Sequence, residues 1–351
     1  LLSSQSAILW MGALVFLSAA LCWLGLLLPH PAQTDSGKAT HPLNTAQRLG
    51  LWLSWAAVAL ALGGTLVRWH ESYLLAPGMG HIPLSNLYEV FVLFVWMTLL
   101  LGLYFEKRYQ AHGLMAFVLL VVGAAVAFLL WYALTRQAHL IQPLVPALQS
   151  WWMKLHVPAN FVGYGCFVLA AMAALAWLLK TASARALWWG LVGSMAVLTI
   201  ALAIAGYALP LPAEKLPALQ RWLRIVGGLA AVCAALVAAR RFINPRTPSL
   251  ELLDEVMYQT VALGFVFFTL ATVLGAFWAA EAWGAYWSWD PKEVWAWIVW
   301  INYATWLHLR LIKGLRGKYA AWWALVGLVI VTFAFIGVNM FLGGLHSYGQ
   351  L

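Results

Sequence analysis

Ten apolar runs alternate with short polar stretches along the chain: Ala7 to Leu28, Leu49 to Val67, Leu87 to Phe105, Gly113 to Leu134, Pro158 to Leu179, Ala186 to Leu209, Arg221 to Ala239, Val256 to Ala279, Pro291 to Ile312 and Tyr319 to Leu342. Each is near the ~20 residues that a helix needs to cross the hydrocarbon core, where every backbone polar group must be bonded within the protein. The pattern predicts an all-α polytopic membrane protein of about ten transmembrane helices. Nothing alternates with period two over long stretches, which excludes a barrel. No internal repeat is visible. The first run lacks a basic flank, so a retained helix is expected in place of a signal peptide. No small residue precedes Cys22, so a lipoprotein site is not expected.

Composition agrees: 64% of the 351 residues are hydrophobic, 9% are charged and 23 are tryptophan, which rules out a soluble core. The net charge of +9 could suggest nucleic acid, but the basic residues fall in short loops and form no stripe, so no nucleic-acid partner is expected. They report orientation instead. With the N-terminus outside, 13 of the 20 lysines and arginines fall in inner loops. The other seven, Arg68, Arg136, Lys154, Lys215, Arg221, Arg224 and Lys292, fall outside. The bias predicts N-out and C-out. Cys22, Cys166 and Cys233 are scattered in apolar runs with no CxxC or CxxCH, and read as inert buried thiols.

The densest chemistry lies in WGAYWSWDPKE, Trp283 to Glu293. Asp290 can cap a helix, Pro291 suits its first position, and Glu293 completes a capping box. The tryptophan-rich loop therefore sits at the mouth of a membrane helix, on the outer side. If the piece were helical, Trp283 and Trp287 would stack on one face and offer a flat shelf to a planar ligand. An interfacial aromatic belt is the competing explanation. A second capping signal, Asn86 to Glu89, opens the third run; Glu89 could be purely structural, or could orient a histidine or lie near the ligand.

Helix parity sorts the nine histidines. His30, His41 and His112 are expected inside; His70, His81, His139, His156 and His346 outside; only His308 within a helix. His156 and His346 share the face of the tryptophan loop. Two imidazoles and an aromatic shelf are what a bis-histidine heme site requires. His70 and His81 remain rival ligands on spacing alone. His308 lies roughly 25 Å below Pro291 at 1.5 Å per residue, near the inner leaflet, and shares one helical face with Trp297, Ile301 and Ala304. An ionisable group in a span is a functional candidate, with an ordinary interfacial histidine as the alternative.

These residues resemble the WWD-domain heme-handling proteins, and among them the CcsA type of the system II cytochrome c synthase. PALQSWWMKLHV, with Tyr164 behind it, is similar to the family's first external histidine segment, and GVNMFLGGLHSYG to its second. WGAYWSWDPKEVWAWIVWINYATWLHLR is similar to the tryptophan-rich domain and its following helix, and PLSNLYE to the N-terminal signature. The resemblance implies that His156 and His346 are external axial ligands of heme and His308 one transmembrane ligand, its counterpart coming from a ResB-like partner subunit. It implies that Trp283, Trp287, Trp289 and Asp290 position the macrocycle, with Tyr286 and Trp297 beside it. It also divides the chain into N-terminal helices over 1–150, the first external histidine and its helix over 151–185 and the heme-handling core over 241–351; the pair of spans between them, over 186–240, departs from the family and looks like an insertion.

The activity implied is that of a holocytochrome c synthase subunit, active with its ResB-like partner, which moves heme b outward and joins its vinyl groups to the CxxCH cysteines of apocytochrome c. Thiol-reducing proteins would keep those cysteines reduced. The site implied is the bacterial inner membrane with the active face periplasmic, or the thylakoid membrane in plastid relatives. Tyr286 or Asp290 is a candidate for proton movement. A heme exporter without ligase activity and a b-type electron-transfer subunit are the competing classes; the latter normally wants paired histidines on spanning helices.

Overall fold

A computed structural model describes residues 3–28, 43–75, 78, 80–208 and 216–346. His30, Lys38, His41 and Lys215 lie outside the described residues. Ten long helices follow one another: α1 (Ser4–Leu27), α2 (Thr45–Leu75), α3 (Leu87–Tyr109), α4 (Leu114–Arg136) and α5 (Trp151–Thr181). α6 runs through Ala184–Leu187, a π-helical stretch at Trp188–Gly193 and Ser194–Ala208. Then come α7 (Leu216–Ile243), α8 (Leu250–Trp283) and α9 (Pro291–Lys313). α10 comprises Gly317–Thr332, a π-helical stretch at Phe333–Gly337 and Val338–Phe341. No strand occurs among the described residues.

Nine of the ten are long and apolar enough to cross a membrane. The exception is α9, which has the length, 23 residues, but carries Lys292, Glu293, Asn302, His308, Arg310 and Lys313. Local signals set the helix starts. Asn86 caps α3 by accepting from the Glu89 N–H, Ser150 caps α5, Ser249 caps α8, and Asp290 with Glu293 forms the expected capping box on α9.

Several helices run further than the apolar pattern predicts, three of them where histidines or tryptophans are affected. α2 continues to Leu75, which places His70 within a helix, and α8 continues to Trp283. α5 starts at Trp151, ahead of the expected Pro158, so His156 also lies within a helix and His308 is not alone there. Hydropathy ends where lipid ends, whereas backbone hydrogen bonding continues into water as long as side chains pack. Pro158 is accommodated inside α5, at the loss of one helical N–H.

α5 is the spine. In its most apolar window 89% of residues are buried, against 6% for α6, so the bundle is built around α5 and the α6–α7 hairpin is peripheral. Small residues from Ala170 to Ala176 let neighbours approach, and α5 packs most extensively on α8. At Gly264 on α8 a Cβ would stand 2.9 Å from the Cβ of Cys166, so only glycine permits that spacing. Cys22 and Cys166 are buried, Cys233 half-buried, and all three are unpaired.

Two buried ion pairs tie the helices at opposite ends. On α9, Arg310 makes two hydrogen bonds to Asp254 of α8, at 3.0 and 2.6 Å. At the other end Arg68 Nε donates to Glu89 Oε1 at 2.7 Å, and Arg68 also donates to the carbonyl of His139 at 2.6 Å. Glu89 Oε2 accepts from the Ser85 N–H and hydroxyl, both at 2.7 Å. Its oxygens thus serve a structural ion pair and fix the loop ahead of α3. Removing one partner of such a pair strands a buried charge, at a cost of about 3–5 kcal/mol. Arg68→Ala is expected to lower the melting temperature of the detergent-purified protein by several degrees, with part of the loss recovered by adding Glu89→Gln; an unchanged melting temperature in the single variant would contradict this account.

Candidate functional site

At one end of the bundle α3, α5, α8, α9 and α10 converge on a cavity of about 200 Å³. His156, Asn160 and Tyr164 recur every four residues along α5 and form one wall; Leu84 to Leu87, held by the Arg68–Glu89 pair, form another. Gly275 and Trp278 of α8, Tyr286 and Trp287 of the loop, Lys292 at the start of α9, and His346 complete it. His156 and His346, far apart in sequence, are thus brought to one space.

Each imidazole is oriented through Nδ1. His156 Nδ1–H donates to the Ala271 carbonyl at 2.7 Å. His346 Nδ1–H donates to Asp290 Oδ2 at 2.8 Å. This tautomer leaves Nε2 of both rings as lone-pair donors, the arrangement found where histidine binds a metal and an acceptor behind it fixes the ring. Burial pushes the His346 pKa down against the opposing pull of Asp290, so the imidazole is neutral at pH 7 and free to coordinate. The Asp290 contact is therefore a carboxylate-to-imidazole hydrogen bond more than an ion pair.

Glycine makes both orientations possible. A Cβ on Gly275 would lie 2.8 Å from the His156 ring, and one on Gly344 would lie 2.2 Å from Asp290 Oδ1. With Gly344 in place, Asp290 Oδ1 accepts the Leu345 N–H at 2.6 Å. Asp290 also caps the Lys292 N–H at 3.2 Å.

The tryptophans divide. α8 ends at Trp283 because Gly284 adopts the left-handed conformation, φ +78°, that stops a helix. Residues 285–290 are loop, so Trp283 and Trp287 do not form the expected shelf on one helix face. Trp283 instead packs edge-on to His346 with ring centroids 4.7 Å apart, while Trp287 lines the cavity. Trp289 has φ +60°, a strained value for a tryptophan; it is exposed and stands edge-on to Trp287 at 5.8 Å. Tyr286 is exposed at the cavity mouth.

Trp278 was not singled out in the sequence, yet it touches both imidazoles, at 5.7 Å from His156 and 5.3 Å from His346. It is fixed by donating Nε1–H to the Ala147 carbonyl at 2.7 Å. The tryptophan one and a half turns before Trp283 was the available signal, but it sits in an apolar run where it reads as core. Lys292 was counted only as an outer charge.

The structure does not bring Trp297 and His308 to this cavity. Both are exposed on the outward face of α9, with Ile301 between them, and Trp297 stacks on Trp300 at 5.2 Å. His81 is buried beside Ser72 and Ser85, while His70 is exposed on α2; neither lines the cavity.

A family model described as Cytochrome C assembly protein matches residues 84–346, the segment from the α3 cap to the second cavity histidine. The chain is similar to the cytochrome c biogenesis protein CcsA of Parasynechococcus marenigrum, with 36% identity over 285 residues, 81% of each chain. It is 33% identical to the CcsA of Trichormus variabilis over 353 residues, covering 96% of this chain and 95% of that one. The CcsA of Nostoc punctiforme is 32% identical over 359 residues with the same coverage.

Asparagine caps helices about as well as aspartate, so Asp290→Asn is expected to keep the start of α9, but its amide NH2 faces either the Leu345 N–H or the His346 ring and lowers stability by about 1–3 kcal/mol. It weakens the hydrogen bond that orients His346, and the affinity for added ferric heme is expected to fall about 10- to 100-fold. Titration followed by the bis-imidazole absorbance measures it; an affinity equal to wild type would remove Asp290 from the site.

Proposed function

Because the chain belongs to the cytochrome c assembly protein family, we propose that it acts in cytochrome c biogenesis as a heme-handling synthase subunit. It brings heme b to the outer cavity and holds it there while thioether bonds form to the CxxCH cysteines of an apocytochrome c. The observation that carries this reading is the meeting of His156 and His346 at one cavity, each ring oriented through Nδ1.

In this reading His156 and His346 take the two axial positions of the iron. The Ala271 carbonyl and Asp290 hold their tautomers and keep both lone pairs available. Trp278, Trp283 and Trp287 supply apolar contact to the macrocycle. The cavity is smaller than the ~300–1,000 Å³ of sites that enclose a ligand. A macrocycle held there would not be fully enclosed, and the exposed Tyr286 marks the open side from which an incoming peptide would reach it. The substrate thiols are the nucleophiles: each adds sulfur to one vinyl carbon and a proton to the other, with no oxidant or reductant consumed. The protein contributes orientation and proximity, and the substrate histidine displaces one axial ligand on release.

His308 belongs to a different place. Its outward exposure on α9, with Trp297 and Ile301 above it, supports a second heme position completed by a histidine of a ResB-like partner. The bias of basic loops supports a cavity on the outer face, periplasmic if the membrane is the bacterial inner membrane. Thiol-reducing proteins act on the apocytochrome before it arrives.

The test is production of covalent cytochrome c, read by pyridine hemochrome, from this protein together with its partner. His156→Ala with His346→Ala is expected to abolish the covalent product and the outer bis-imidazole signal while heme at His308 persists. Covalent product from the double variant would refute the assignment, and free external heme without product from the wild type would favour a heme exporter.

A further inference from the structure

Lys292 lies in the first turn of α9 and lines the cavity with both histidines. Two effects oppose a cation there: the positive end of the helix dipole and the loss of water around a half-buried ammonium. The nearby Asp290 carboxylate offsets part of this through space but forms no ion pair with the ammonium. Asp290 accepts from the Leu345 N–H, the His346 ring and the Lys292 backbone N–H. Glu293 accepts from the N–H groups of Ser288 and Asp290. Among the described residues no carboxylate lies within 4.0 Å of the Lys292 ammonium. Among the described residues the cavity therefore presents an ammonium with no ion-pair partner within 4.0 Å, beside the two lone-pair donors, with the Glu293 carboxylate also in its lining.

We infer that Lys292 anchors a carboxylate on the edge of the cavity's ligand, so that the site selects a tetrapyrrole by its propionate as well as by its iron. This rests on the reading of the cavity as a heme site and deepens it. Two axial imidazoles fix the iron but leave the macrocycle free to turn about the axis they define. An anchor at one side removes that freedom. In protoporphyrin IX the propionates and the vinyls occupy opposite edges, so holding the propionate edge at the start of α9 sends the vinyl edge away from it. Lys292 is thereby the residue that decides which edge a peptide thiol meets.

The experiment titrates the purified full-length protein with ferric protoporphyrin IX and with its dimethyl ester, which has the same iron and vinyls but no anionic edge. The bis-imidazole absorbance band reports binding. Wild type is expected to prefer the free acid by about ten- to a hundredfold, the range for one charge-assisted hydrogen bond. Lys292→Met is expected to lose that preference by weakening the acid alone, and Lys292→Arg to retain most of it. The wild-type comparison stands even if the methionine variant does not fold. Equal affinity of wild type for acid and ester, or equal weakening of both in Lys292→Met, overturns the anchor. If the band is nevertheless lost in His346→Ala, the heme site survives that failure; a band unchanged in His346→Ala overturns both.

Discussion

One buried carboxylate joins three parts of the outer site. A carboxylate has about four lone-pair directions, and Asp290 directs its oxygens at the Lys292 N–H, the Leu345 N–H and the His346 imidazole. The first contact starts α9, the second docks the segment after α10, and the third fixes a ring tautomer. Helix start, chain docking and imidazole orientation are thus one interaction network, and none of the three can shift independently. Gly344 belongs to the network because any larger residue would collide with the Asp290 oxygen.

The other half of the site depends on a backbone group. His156 is held by the carbonyl of Ala271, and the close approach this needs exists because Gly275 leaves room on α8. Gly264, three helical turns away on the same helix, gives the same closeness to Cys166 of α5. The α5–α8 contact that organises the bundle therefore also positions the imidazole. At about 51 Å, the 34 residues of α8 outreach the ~30 Å hydrocarbon core. α5, at 31 residues, shares that surplus.

Much of this was legible in the sequence because it is local or periodic. The spans follow from runs of apolar residues, the α3 and α9 starts from capping residues within four positions, and the shared side of His156 and His346 from counting crossings. What was not legible is where chains turn and which residues meet across helices. The expected pairing of Trp283 with Trp287 failed at Gly284, whose left-handed backbone ends α8 between them. His156 and His70 were placed ahead of or beyond helices because hydropathy marks lipid, not hydrogen bonding. Trp278 was hidden by its setting: a tryptophan inside an apolar helix looks like packing until the helices that cross it are known.

The polar groups of the cavity follow a consistent charge logic. Both imidazoles are backed by acceptors, which favours the lone pair at Nε2 and a neutral ring able to bind a metal. The nearby carboxylates are each hydrogen-bonded to N–H donors, and among the described residues neither forms an ion pair with Lys292. A cavity built only to exclude water would have no use for an unpaired ammonium, and a cavity built for a cationic ligand would repel it. Two imidazoles with acceptors behind them, aromatic walls, and Lys292 and Glu293 at the start of α9 suit an amphiphilic ligand, and the heme handling implied by the cytochrome c assembly family is of that kind.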